Sequence, residues 1–191
     1  TGKVRVFSLP GNEAAVVLSG HQGPIEHLAW SPDGTRLVTT GEEDRTLRVF
    51  HSETGRLLNT HGMPAGQPLP FAWSPTGTEL ASIGPGGGLV IREGSTGAVV
   101  RELDKVDAMV TGLAWTPDGS MLLAGTDEHE VLVLDAVSGA RQSSLTLPTD
   151  LKDRAFDVEW TLEGDDVIEQ DREFFSVAMG GSKIRGLTVR P

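Results

Sequence analysis

All four tryptophans of the chain fall in one recurring phrase. It reads Leu28-Ala29-Trp30-Ser31-Pro32-Asp33-Gly34, then Phe71-Ala72-Trp73-Ser74-Pro75-Thr76-Gly77, Leu113-Ala114-Trp115-Thr116-Pro117-Asp118-Gly119 and Val158-Glu159-Trp160-Thr161-Leu162-Glu163-Gly164, spaced 43, 42 and 45 residues apart. A self-similarity of this period restricts the chain to stacked copies of one supersecondary unit, because a unit of that size cannot bury its apolar faces alone. Within residues 20–60 the unit holds four apolar runs, 25–30, 36–40, 46–50 and 56–60. Each is bounded by Gly, Pro, Asp or Ser, so the runs read as consecutive antiparallel strands. Ser31-Pro32-Asp33-Gly34 places Pro where its fixed φ starts a tight turn and Gly where φ turns positive; Glu53-Thr54-Gly55 closes the next corner.

The order Gly20-His21, a strand ending at Trp30, an apolar strand, Asp44 two places before Thr46-Leu47-Arg48-Val49-Phe50, then Thr54-Gly55 resembles the WD-repeat (β-transducin repeat) family. Four in-register copies carry the resemblance over nearly the whole chain. It implies an all-β fold: a WD-repeat β-propeller of about four four-stranded antiparallel blades plus a partial N-terminal blade. The expected segment is a single one, 1–191, with the partial blade at 1–18 and blades at about 25–60, 69–102, 109–146 and 155–190. In the family's naming, where strands a to d run from the axis outward, 3–8 and 14–18 match strands c and d, and the fourth blade stops before any d strand. Open blades expose sheet edges and faces that natural proteins cover. The expectation is therefore an incomplete ring or part of a larger propeller, completed by further blades of a parent chain or by a second copy.

Two stretches depart from the repeat. After Trp160 the acidic run TLEGDDVIEQDRE delays the second strand of the fourth blade to about Phe174, which reads as a solvated loop at 163–173. Gly84-Pro85-Gly86-Gly87-Gly88 replaces the usual Asp-containing b–c turn and reads as a hairpin; a phosphate cradle needs a following helix and its Lys.

Composition narrows the function classes. With 27 acidic against 16 basic residues, a formal charge of −11, the long-range field repels phosphate backbones and anionic bilayers, so neither direct nucleic-acid nor membrane binding is expected. The absence of cysteine removes disulfides, thiolate metal sites and cysteine nucleophiles, and fits a reducing, intracellular compartment, cytoplasmic or nuclear. No apolar run approaches the roughly 18 residues of a spanning helix.

The resemblance also implies a buried polar set: a His before strand a, a Ser or Thr in strand b, an Asp in the b–c turn and a Trp ending strand c. The first full blade supplies His21, Thr40 and Asp44, but Phe50 stands in the Trp position. Later blades carry Arg92 and Leu134 there, and Gly86 and Glu128 in place of the turn Asp. The blades are therefore expected to be held chiefly by apolar packing of Trp30, Trp73, Trp115 and Trp160.

No catalytic or metal-binding pattern emerges. The five histidines, His21, His27, His51, His61 and His129, form no metal-ligand spacing, no GxSxG elbow is present, and Asp165, Asp166, Glu169 and Asp171 lack calcium-loop spacing. No cofactor and no enzymatic activity are expected, with a propeller enzyme using acidic loops as the least favoured alternative. What remains is recognition. In the family the d–a and b–c loops form the top face where partners bind, and here they bear Glu26, Glu42, Glu43, Arg45, Asp127, Glu128 and His129, with Lys152, Asp153 and Arg154 before the fourth blade. A mostly acidic rim favours a partner protein or peptide carrying Lys or Arg. The expected function is a non-catalytic protein-interaction scaffold; the alternative is a structural or regulatory segment of a larger protein or complex with no ligand of its own.

Overall fold

A computed structural model describes residues 2–7, 14–66, 69–146, 155–161, 174–179 and 182–190. Every regular element among them is a β-strand. The chain divides into two compact units, Thr1–Glu102 and Leu103–Pro191.

The first unit holds a hairpin and two meanders. Strands β1 (Lys3–Phe7) and β2 (Ala14–Ser19) pair antiparallel. Strands β3 (Ile25–Trp30), β4 (Arg36–Gly41), β5 (Thr46–His51) and β6 (Leu57–Gly62) form a sheet in chain order. So do β7 (Phe71–Trp73), β8 (Glu79–Ile83), β9 (Leu89–Glu93) and β10 (Val99–Glu102). The middle strands are nearly continuous apolar runs because both of their faces are covered: Leu37, Val38, Leu47, Val49, Leu80, Ala81 and Ile91 have no exposed surface. Between the β1–β2 hairpin and the first meander, Val4, Val6 and Val16 pack on a core of Leu18, Leu37 and Phe50. Each such side chain contributes roughly 1.5–3 kcal/mol when fully buried.

The a–b corners repeat one device. Gly34 donates from its backbone to the Ser31 carbonyl at 2.8 Å, with φ at 70°, while Asp33 accepts from the Ser31 hydroxyl at 2.5 Å and from the Thr35 amide at 3.0 Å. Asp118 does the same with Thr116 and Ser120. These bonds lock the corner that the Pro-Asp-Gly phrase nucleates.

The second unit contains one meander, β11 (Val110–Trp115), β12 (Met121–Thr126), β13 (Glu130–Asp135) and β14 (Arg141–Thr146). Its other sheet comprises β15 (Ala155–Thr161), β16 (Phe174–Met179) and β17 (Ser182–Arg190), and there the order is β15-β17-β16. A fourth meander in chain order is thus corrected: β17 pairs with both other strands, Val158 opposite Leu187 and Val177 opposite Ile184. The acidic run at 163–173 lies outside the described residues.

The tryptophans do not share one environment. Trp115 is 6% exposed, but Trp30 is 45% exposed, with Leu28 beside it on the same strand face at 43%. Trp73 is half-buried and its Nε1 is enclosed without an acceptor. The expectation that Trp30 packs like its copies is therefore corrected, because the β1–β2 hairpin covers Leu37 and Phe50 and leaves the β3 residues open. The side chain of Trp160 lies outside the described residues.

Candidate functional site

Asp44 organises the end of the β4–β5 hairpin. Its carboxylate accepts from His21 Nδ1 at 3.0 Å, from the Gln22 amide at 3.1 Å, from the Thr46 hydroxyl at 3.0 Å and from the Arg48 guanidinium at 3.2 Å. Burial alone would raise its pKa, but the bonds from His21, Gln22 and Thr46 outweigh it and hold the carboxyl below the usual carboxylate range. Arg48 is fixed in turn by Thr46, Nε to Oγ1 at 3.1 Å.

The hydroxyl that completes this set is Thr39, 2.7 Å from His21 Nε2, and not Thr40. The ladder explains the correction. Thr39 stands opposite Arg48, whereas Thr40 stands opposite Leu47 and points to the other face. There the Thr40 hydroxyl is buried with no hydrogen-bond partner. Thr39, Thr46 and Arg48 are the members that reading the sequence missed; Arg48 lies two residues before Phe50 and so shares its face.

The other sheets handle the same positions differently. Leu37 faces Phe50 in the first meander, Leu80 faces Arg92 in the second and Leu122 faces Leu134 in the third, so these residues are equivalent. Two residues further along strand b stand Thr39, Ser82 and Ala124. Arg92 is 1% exposed and donates to the Ser82 hydroxyl at 2.8 Å and to the Gly97 and Ile83 carbonyls at 3.0 and 3.4 Å. The third sheet has Ala124 and Leu134 and keeps an apolar interior there.

The residues expected on the recognition rim divide between the two units. In the first, Glu42 and Glu43 are exposed on the hairpin end, and the Glu42 amide bonds the Pro24 carbonyl at 3.1 Å. The Glu43 carboxyl lies against Gly23, where a Cβ would come within 2.5 Å of it. Arg45 is left-handed at φ 49° and donates from Nε to the Pro64 carbonyl at 3.1 Å, which fastens the turn to the next connection. Glu26 is exposed on β3, its carboxylate 3.6 Å from the His27 ring. In the second unit, Asp127 and Glu128 are exposed and His129, at φ 60°, is half-buried. The Asp127 side chain accepts from the Met109 amide at 2.9 Å and its own amide bonds the Met109 carbonyl at 3.0 Å. In both units the b–c turn is thus tied to the connection that precedes strand a. Lys152, Asp153 and Arg154 lie outside the described residues. Among the described residues no group of three or more His, Asp or Glu is arranged to hold a metal ion, and no helix is long and apolar enough to cross a membrane.

Four-stranded antiparallel meanders at this repeat length, with a His-Thr-Asp set joining the connection before strand a to the b–c turn, define a β-propeller repeat protein. The comparisons with known proteins agree. The family model described as WD domain, G-beta repeat, matches residues 12–51, and that of the anaphase-promoting complex subunit 4 WD40 domain matches 73–163. The chain belongs to the WD-repeat family. It is 30% identical over 122 residues to an Arabidopsis thaliana WD repeat-containing protein WDS homolog, covering 62% of this chain and 23% of that one. It is 26% identical over 185 residues to eukaryotic translation initiation factor 3 subunit I of Pyricularia oryzae, covering 90% and 50%. The solved structure of U3-55K superposes with a TM-score of 0.63 at 22% identity, over 74% of this chain and 45% of that one, a likeness of fold. The chain spans from 23% to 50% of the length of these two curated relatives.

Proposed function

We propose that this chain is a non-catalytic protein-interaction scaffold whose b–c hairpin ends present carboxylates to a partner segment rich in Lys or Arg. The observation that carries this reading is the division of labour in the first hairpin. Asp44 is neutralised internally by Arg48 and held by His21, so the turn is rigid, while Glu42 and Glu43 beside it remain exposed. A rigid turn presents charge without losing side-chain and backbone entropy a second time on binding. Asp127 and Glu128 occupy the corresponding turn of the third meander. Membership of the family supports a role in protein assemblies, and one relative is named as a subunit of a multi-subunit translation factor. An intracellular location, cytoplasmic or nuclear, belongs to the same reading and rests on the absence of cysteine.

The test is binding of a fluorescent Lys/Arg-rich peptide to the wild type and to the triple variant Glu42→Lys, Glu43→Lys, Asp127→Lys. Loss of binding, with a salt dependence in the wild type, supports the assignment. Binding unchanged by the triple substitution overturns the site. A second reading is favoured by the partial coverage of longer relatives: a structural or regulatory propeller segment of a larger protein, without a ligand of its own. It predicts no saturable binding even in the wild type. That all 191 residues act as one propeller segment, with the ring completed by further blades or a second copy, belongs to the proposal as well.

A further inference from the structure

The outer strand of the first meander is fastened to the β9–β10 turn of the second. Asn59 and His61, two residues apart on β6 and therefore on one face, both bond the Thr96 carbonyl, Asn59 through its amide nitrogen and His61 through Nε2 at 3.2 Å. Arg92 holds the adjacent Gly97 carbonyl at 3.0 Å. The imidazole sits directly on the turn: Gly97 is at φ 70°, and a Cβ there would overlap the His61 ring.

Around this seam stand one buried cation and one exposed carboxylate. Arg92, from β9, is buried and all three of its acceptors are uncharged. Glu93, at the end of β9, takes the Thr96 hydroxyl at 2.6 Å. On β5, packed beside β6, Arg48 is committed to Asp44 and Thr46, and His51 lies at the far end of the strand. On β6 itself His61 is the sole titratable residue. A proton on His61 therefore adds a second positive charge to a seam that already encloses a guanidinium.

We propose that the contact of Asn59 and His61 with the β9–β10 turn is a proton-sensitive latch between the two meanders, closed while His61 is neutral and loosened when it is protonated. Burial, followed by the Arg92 charge, pushes the imidazole below its ordinary 6.5, against the opposing pull of the Thr96 carbonyl. Because the latched form binds the proton more weakly, its stability is complete above about pH 6.5 and is lost as pH falls below it. The latch would let mildly acidic conditions separate the outer edges of two neighbouring sheets without unfolding either.

The test is amide hydrogen exchange on the full chain, corrected for the intrinsic pH dependence of exchange, from about pH 7.5 to about pH 5. Exchange in β6 and at 94–98 should rise severalfold in the wild type. It should stay level in His61→Gln, which keeps a donor for Thr96 but cannot gain charge. A level wild-type profile, or the same rise in His61→Gln, overturns the proposal. If His61→Gln does not fold, an NMR titration of the His61 ring decides: a rise in exchange that tracks the ring's own titration supports the latch, and one that does not overturns it.

Discussion

Arg92 Nε donates to Ser82 Oγ at 2.8 Å inside the second meander, at the ladder position that Phe50 occupies in the first. One guanidinium thus does for this sheet what the His21, Thr39 and Asp44 set does for the first: it joins strand b, strand c and a turn carbonyl through buried polar bonds. A charge so enclosed is tolerated only with its donors satisfied.

Truncating Arg92 should accordingly be severe. Arg92→Ala removes a buried side chain, strands the Gly97 carbonyl and leaves the Ser82 hydroxyl only its 3.3 Å bond to the Ile83 carbonyl, for an expected loss of about 3 kcal/mol. Ser82→Ala, which removes one acceptor, should cost about 1–2 kcal/mol. Urea denaturation of the two single variants and the double variant should show a double loss smaller than the sum of the singles, because the two residues share one bond. An additive result would mean that the bond contributes nothing.

Thr39 and Thr40 are adjacent and chemically identical, so they make a controlled pair. Thr39→Val removes the partner of His21 Nε2 and should destabilise by about 1–2 kcal/mol. Thr40→Val replaces a buried hydroxyl that has no partner and should be neutral or stabilising, since the desolvation penalty disappears with the oxygen. Thermal denaturation of both variants checks the order; a reversed order would reject the assigned strand face.

Gly41 has no side chain because the polar set fills its space. A Cβ there would overlap the Asp44 carboxylate and the His21 ring. Gly41→Ala should therefore destabilise by about 1–3 kcal/mol, as overpacking does, and should displace the hairpin that carries Glu42 and Glu43. A crystal structure of the variant with His21 and Asp44 still bonded would contradict this.

The corners should respond to acid only below pH 3.8. The Ser31 hydroxyl and Thr35 lower Asp33 to about 2, and Thr116 and Ser120 do the same for Asp118, against an ordinary value of 3.8. Both folded values are depressed, so their stabilising effect is present above pH 3.8 and is lost as pH falls toward 2. Denaturation midpoints measured through this window should fall less steeply for the double variant Asp33→Asn, Asp118→Asn than for the wild type. Identical slopes would remove these two carboxylates from the acid response.

Much of the fold is legible in the chain because the signals are local. The Trp phrase sets the period, Pro-Asp-Gly and Thr-Gly set the corners, and the apolar runs between them become strands. The site was legible to the level of His21 and Asp44, which the resemblance to the WD-repeat family implied from their places before strand a and in the b–c turn. Which threonine meets His21 was not, because a shift of one residue along a strand exchanges its faces.

By itself, then, the sequence determined the repeat, the strand content and the chemistry of each turn, all of which depend on residues close together in the chain. Only the tertiary structure decided that Thr39 and not Thr40 joins the polar set, that Arg92 finds Ser82, that Trp30 stays open while Trp115 is buried, and that β17 lies between β15 and β16. Each of these depends on cross-strand register or on what packs against a face, and both are set by residues distant in the chain.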